Sequence, residues 1–258
     1  MAIHPAAVVD PAASIDPAAQ VGPFCVIGPE VEIGARTRLM GHVFIEGPTR
    51  IGEDNIFFPF SSIGVASQDM KYKGERAETH IGSRNKIREF VTIHRGTEGG
   101  GLVTSIGDDN LLMAYVHVAH DVHIGNHTIL ANGATIGGHV TVGDWAVIAG
   151  LSGVHQYCRV GRHAMVGAAS AVTQDVLPYS MTVSERPIHV FGANKTGLER
   201  RGFAPESVDS LQKVFRLLAR SGLNTTQAIE RIRSEIPPTP EVEEVIDFIR
   251  ASDRGVIK

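Results

Sequence analysis

A mainly β chain, wound as a parallel β-helix and followed by a small C-terminal α-helical domain, is predicted by three observations. An aliphatic residue, often followed by glycine, recurs at every sixth position. The recurrence survives two polar interruptions, and after Val172 it gives way to helical periodicity. Each hexapeptide supplies one short strand that cannot bury its apolar side chain alone, so the repeats must stack. Three hexapeptides close one triangular turn, and successive turns lie roughly 4.8 Å apart.

The beat runs through Ile3, Val9, Ile15, Val21, Ile27, Ile33, Leu39, Ile45, Ile51, Phe57 and Ile63. It returns at Ile81, Ile87 and Ile93, and then from Ile106 without a miss to Val172. Residues 64–80 are polar and keep the phase, which predicts a loop thrown out from the helix. Residues 94–105 slip the phase by one and contain Gly99, Gly100 and Gly101, which predicts a second, flexible loop. The β-helix is assigned to residues 1–190 and the helical domain to 191–258. Val208, Leu211, Val214, Phe215 and Leu218 share one face of a helix over 205–219, with Pro205 suited to its first turn and Gly222 to its stop. A second helix is expected over about 226–235 and a third after Thr239 and Pro240, through Val242, Val245, Ile246 and Ile249.

The 258 residues carry 24 basic and 28 acidic side chains, and the net charge of −4 argues against general nucleic-acid binding. No stretch approaches the roughly 20 apolar residues of a membrane span, and no signal segment opens the chain. Cys25 and Cys158 are too few for a disulfide framework and fit a cytoplasmic location.

Residues 18 apart lie one above the other in such a coil. His120, Gly138 and Gln156 therefore form one column, and Asp121, His139 and Tyr157 the next. His117, His120, His139 and His155 are expected to cluster outward on the face of Val118, Ile136 and Val154. Beat counting from Ile63 puts the first loop, with Asp69, Lys71 and Lys73, on this face. The same count puts Ile93 on the preceding face, so that His94 reaches the cluster only around a corner or from a neighbouring subunit. His4, His42, His80, His123, His127, His163 and His189 lie outside the columns and are read as ordinary surface. A histidine cluster serves general acid/base chemistry near neutral pH or holds a divalent metal.

The stretch His117-Val118-Ala119-His120-Asp121, with Ile93-His94-Arg95-Gly96, Gln68-Asp69-Met70-Lys71-Tyr72, Gly138-His139-Val140, Val154-His155-Gln156-Tyr157 and Arg200-Arg201-Gly202-Phe203, resembles the UDP-N-acetylglucosamine O-acyltransferase family over nearly the whole chain. The resemblance implies a left-handed β-helix, a homotrimer with clefts between subunits, and transfer of a 3-hydroxyacyl chain from acyl carrier protein to the glucosamine 3-position. It implies His120 as general base, Asp121 as its orienting partner, the Gly138 N–H as oxyanion donor, and no cofactor or metal. It also implies substrate contacts from Asp69, Met70, Lys71, His94, His117, His139, His155, Gln156, Asn194, Arg200 and Arg201. Ala168 falls where the family sets acyl length, bulk there shortening the accepted chain. Arg200, Arg201, Arg216 and Arg220 are candidates by charge for the acidic carrier protein. The chain departs from the family at Ser184-Glu185-Arg186-Pro187, where Gly-Asn-Pro is common, and at Thr196, commonly acidic.

Three other readings compete. A zinc carbonic anhydrase of the same fold could use His117, His120 and His139, but leaves the Gln68–Lys71 loop and the basic helices without a task. A sister acyltransferase acting at nitrogen carries a separate N-terminal nucleotide-binding domain, whereas here the beat begins at Ile3. A non-enzymatic scaffold predicts no chemical effect of His120→Ala.

Overall fold

A computed structural model describes residues 2–185 and 187–258; Met1 and Arg186, the latter one of the four residues at the Ser184–Pro187 departure, lie outside it. Short strands stack into three sheets of 11, 9 and 8 strands, parallel except for the last strand of the first, that form the faces of a left-handed triangular prism. Face 1 begins with Ala2–Ile3, face 2 with Val8–Val9 and face 3 with Ser14–Ile15, and every third strand returns to the same face. The registers pair residues 18 apart, as in Val118 with Ile136 and Ile136 with Val154.

The beat residues point inward and are buried from Val21 to Val172. Ile3, Val9 and Ile15 are only partly buried, because no coil lies beneath them. From Ala19 onward the residue two before each beat also turns inward, and it is valine or a smaller or polar residue. Asn55, Asn85, Asn110 and Thr128 make a buried ladder in which each Asn Oδ1 accepts the backbone N–H of the next rung at 2.7–2.9 Å. That ladder satisfies amides that would otherwise be buried without partners. Most corners are turned by a left-handed residue three after the beat, including Asp121 (φ 59°), His139 (φ 61°) and Tyr157 (φ 64°).

The two loops are excursions that complete no turn. From Ile63 to Ile81 the chain spends 18 residues but advances only one face, and Ile63 pairs directly with Ile93, which pairs with Val118. Beat counting fails here because the 12 surplus residues equal two hexapeptides and imitate them. Ile93 therefore lies on face 2, and His94 stands on the same face as His117, without a corner or a neighbour in between. The first excursion is shorter than 64–80, since strands run on to Val65 and resume at Glu78. The second contains a single 3-10 turn over Glu98–Gly100.

Beyond the coils, a strand Ser180–Val183 adds to face 1 and pairs antiparallel with His189–Ala193. Four helices follow: α1 (Lys195–Arg200), α2 (Pro205–Arg220), α3 (Thr225–Glu235) and α4 (Pro240–Arg250). In α2 the five predicted apolar residues are the five buried ones. Asn224 and Gln227 form a reciprocal capping box on α3, and Thr239 caps α4. The strand hairpin and α1 escape periodicity analysis, because four to six residues are too few to show a period. Arg159 joins coil to helix: its Nε donates to Asp175 at 2.9 Å while its guanidinium lies over the Phe248 ring of α4.

Candidate active site

Face 2 and its corner with face 3 carry a cavity of about 560 Å³. Its floor is made by consecutive coils, which bring His94, His117, His120, His139, Gln156 and Tyr157 together, and its outer wall by Gln68, Asp69, Met70 and Lys71 of the first loop. Met70 is wholly exposed at the loop tip.

At its centre, His120 Nδ1 lies 2.8 Å from Asp121 Oδ2. Adjacent residues of a strand point to opposite sides, and the left-handed corner at Asp121 is what lets these two side chains meet. Asp121 is 1% exposed, and its carboxylate also accepts the Thr97 backbone N–H at 2.9 Å and the Thr97 hydroxyl at 2.6 Å. A carboxylate so supplied with donors is an acceptor for the imidazole N–H, which leaves the lone pair on His120 Nε2. Asp69 Oδ2 faces that nitrogen from the loop at 4.0 Å.

His120 and His139 meet edge to face, 5.0 Å between centroids, and His139 stacks on Tyr157 at 4.3 Å. His94 and His117 meet edge to face at 4.8 Å, and His117 Nδ1 is 2.7 Å from the Thr92 hydroxyl. Burial pushes His94 down to about 4, helped by the neighbouring His117 and His120. Burial also lowers His117, and in His139 it outweighs the upward pull of Asp121. The imidazoles around His120 are thus held toward the neutral form, and Nδ1 of the buried His94 has no partner among the described residues.

Gly138 packs on the His120 ring: a Cβ there would stand 2.7 Å from both Cε1 and Nε2. Its N–H makes no hydrogen bond among the described residues, as expected of a corner amide that faces outward. From Gly138 an apolar groove of about 640 Å³ runs up face 2, past Thr135, Leu151 and Gly153 to Ala169 and Ala171. Ala168 is exposed one residue from its far end.

Some predicted residues stand elsewhere in the subunit. His155 follows Val154 directly and sits two coils above Ala119, about 10 Å along the axis. It lines the apolar groove, 3.3 Å from an Arg254 nitrogen, and not the histidine cavity. Asn194 is buried as the N-cap of α1, and its Nδ2 donates to the His163 carbonyl at 3.0 Å. Arg201 donates to the Gly197 carbonyl and lies over the Trp145 ring, at the corner between faces 3 and 1, and Arg200 is exposed beside it. Thr196 is exposed on α1. Arg220 donates to the Phe191 carbonyl and borders a small cavity with Arg216. His163 is not a surface residue: it is stacked between Trp145 and Tyr179, and burial pushes it down to about 4.

Thr97, Thr104 and Gly100 were missed by sequence reasoning. Thr104 Oγ1 accepts the Asp121 N–H at 2.8 Å, and a Cβ on Gly100 would stand 2.0 Å from Asp121 Cγ. The second loop is thus fitted over Asp121, packed and hydrogen-bonded to its carboxylate. As to metals, donor atoms of His120, Asp121 and His139 lie within 4.8 Å of one another. The Asp121 oxygens are already engaged by three donors, and a metal there would have to displace them.

A family model described as UDP-N-acetylglucosamine O-acyltransferase, domain 2, matches residues 175–257, and one for the bacterial transferase hexapeptide matches residues 104–138. An acyl-[acyl-carrier-protein]–UDP-N-acetylglucosamine O-acyltransferase of Verminephrobacter eiseniae is 47% identical over 219 residues, 83% of each chain. The UDP-N-acetylglucosamine acyltransferase of Francisella novicida superposes with a TM-score of 0.94 at 41% identity, over 99% of this chain and 93% of that one. That of Bacteroides fragilis gives 0.97 at 40% identity, over 99% and 100%. With this identity over this much of its length, and with the repeat and helices in the same order, the chain belongs to the UDP-N-acetylglucosamine O-acyltransferase family.

Proposed function

We propose that the protein transfers a 3-hydroxyacyl chain from acyl carrier protein to the 3-hydroxyl of UDP-N-acetylglucosamine, the first step of lipid A synthesis, in the cytoplasm. The observation that carries this reading is His120, with Nδ1 bonded to Asp121 and Nε2 open to the cavity. The sugar 3-hydroxyl lies against Nε2, which takes its proton as the oxygen attacks the thioester carbonyl. The Gly138 N–H donates to the oxyanion of the tetrahedral intermediate. Collapse breaks the C–S bond, and the imidazolium returns its proton to the carrier thiolate. Positioned proton transfer of this kind contributes about 10²- to 10⁴-fold, and one oxyanion donor about 10²- to 10³-fold.

Asp69 and Lys71 engage the sugar and phosphate from the loop, while His94, with its unpartnered Nδ1, and His117 and Gln156 line the cleft. The acyl chain lies in the groove beyond Gly138, with Ala168 near its end.

The working form in this reading is a homotrimer. Outward residues of face 3 are polar (Glu32, Arg50, His80, His123, Arg159), whereas face 1 presents Ile56, Leu111, Ile129, Val147 and Met165. The corner between faces 1 and 2 carries a stacked, exposed column of Phe24, His42, Phe60, Phe90 and Tyr115. Burial of that column on a threefold axis sets face 1 of one copy against face 2 of the next. A neighbour's Trp145 and Arg201 corner then flanks the His120 cavity, which gives Asn194, Arg200 and Arg201 access to the nucleotide and the carrier.

The test is transfer from a panel of 3-hydroxyacyl carrier proteins to UDP-N-acetylglucosamine. Transfer that disappears in His120→Ala supports the reading; no product from any donor overturns it and directs attention to the 3-amino sugar nucleotide.

A further inference from the structure

Resting on the acyl-transfer reading, we propose that Thr97 is a positioning residue, and that the Thr97–Gly101 segment is the cover that holds the Asp121–His120 pair in one working tautomer. An anionic carboxylate buried as deeply as Asp121 is costly unless donors meet its oxygens. Three donors do so, and Thr97 supplies two of them, its N–H to Oδ1 and its hydroxyl to Oδ2. Oδ2 is the oxygen that also takes the His120 bond. The Thr97 hydroxyl therefore fixes the orientation of the oxygen that fixes His120.

The segment is built for this task. Thr97 is itself 5% exposed, and Gly100 is seated where any side chain would strike the carboxylate. Gly101 (φ 91°) and Leu102 (φ 68°) then turn the chain back to the strand at Val103, and Glu75 of the substrate loop accepts the Glu98 N–H at 3.2 Å. With the hydroxyl gone, Oδ2 keeps only the imidazole as a donor. The carboxylate charge is then less compensated and holds the proton on His120 more tightly. The other charged or titratable groups around the ring are Asp69, Lys71, His94, His117, His139 and Tyr157, and among the described residues none of them hydrogen-bonds to Thr97.

The experiment compares Thr97→Val, which keeps the shape and the backbone N–H, with Thr97→Ser, which keeps the hydroxyl. Both are made in the full chain and assayed with UDP-N-acetylglucosamine and a 3-hydroxyacyl carrier protein. Thr97→Val is expected to lower kcat about tenfold to a hundredfold, by analogy with the loss of hydrogen-bond partners behind metal-bound histidines. KM for the nucleotide sugar should stay within about twofold, because the loss falls on the chemical step. The acid limb of the kcat/KM profile should move to higher pH, and Thr97→Ser should restore both. In parallel, ¹⁵N-histidine NMR of the unliganded protein should show His120 protonated at Nδ1 in the wild type, and in Thr97→Val its ring resonances should lie closer to the imidazolium values at the same pH. A Thr97→Val enzyme with undiminished kcat overturns the proposal, as does equal loss in both variants with an unmoved pH profile. If the wild type transfers no acyl group, the acyl-transfer reading fails separately, and the spectra decide the clamp: an unchanged His120 signal in Thr97→Val refutes it.

Discussion

Gly138→Ala adds one methyl group at the point where the proposed oxyanion donor and the proposed base touch. The new Cβ would stand 2.7 Å from His120 Cε1 and Nε2, and carbon contacts settle at about 3.5–4.0 Å, so the ring must retreat by roughly 1 Å. It cannot do so freely, being bonded to Asp121 at 2.8 Å on one side and packed against His139 on another. A displacement of about 1 Å at a reacting group can cost on the order of 10²-fold, close to 2.7 kcal/mol in the barrier. The backbone N–H survives the substitution, so the loss isolates ring position from oxyanion binding. Gly138 has no left-handed φ, so the strain comes from the ring contact alone and should cost about 1–3 kcal/mol of stability.

The assay is steady-state transfer with UDP-N-acetylglucosamine varied, together with thermal melting. The expected result is a kcat lowered about a hundredfold in a protein that still melts cooperatively at a modestly lowered temperature. Combined with His120→Ala, Gly138→Ala should add almost nothing, because two changes that act on one ring are not additive. A Gly138→Ala enzyme with kcat within about threefold of the wild type would refute the claim that this contact sets the base.

His120→Ala should lower kcat by about 10²- to 10⁴-fold while circular dichroism and the melting temperature hold, because the side chain faces a cavity and not the core. Ile136→Ala, at a fully buried beat position, should cost about 2–5 kcal/mol in urea unfolding with no specific effect on KM. Phe60→Asp on the stacked corner column should convert the proposed trimer to monomers in sedimentation velocity and abolish transfer with it; a trimeric Phe60→Asp protein would move the threefold axis elsewhere. His163 is held near 4 in the folded chain against 6.5 unperturbed, so its contribution is complete above about 6.5 and is lost as pH falls toward 4. Between pH 7 and 5 this amounts to about 2 kcal/mol, and His163→Phe, which keeps the stack and a ring type already tolerated at left-handed corners such as Phe60, should remove that part of the acid loss from urea titrations.

The coil and its columns were legible because a hexapeptide repeat is arithmetic. Residues 18 apart are neighbours by construction, and so His120 over Gly138, and Asp121 beside His139 and Tyr157, could be placed before any coordinates. The α2 face was legible for the same reason at a different period. His155 was misplaced because that arithmetic fixes height and face but not which way a side chain leans: one residue before the His120 column, it faces the groove. His163 was misread because its burial comes from Tyr179 and Phe203, residues past the end of the repeat. Asn194 reads as a ligand in a motif and serves as a helix cap in the subunit, two roles that one polar side chain at a helix start can fill.

The error over His94 has a more general cause, and its remedy was present in the sequence. Twelve surplus residues preserve the phase of a six-residue repeat, so phase alone cannot distinguish a loop from two strands. Composition can. The two beat positions inside the first loop are Asp69 and Glu75, and a carboxylate cannot replace an aliphatic residue in the core of a β-helix without an ionic partner. Those two hexapeptides therefore contribute no strand, Ile93 falls back onto the face of Ile63, and His94 falls beside His117. The two residues that mark the loop as a loop also stand at the proposed site: Asp69 faces His120, and Glu75 accepts the Glu98 N–H of the segment that carries Thr97. In a repeat protein, a charged residue standing on the beat thus locates both the break in the scaffold and the chemistry hung on it.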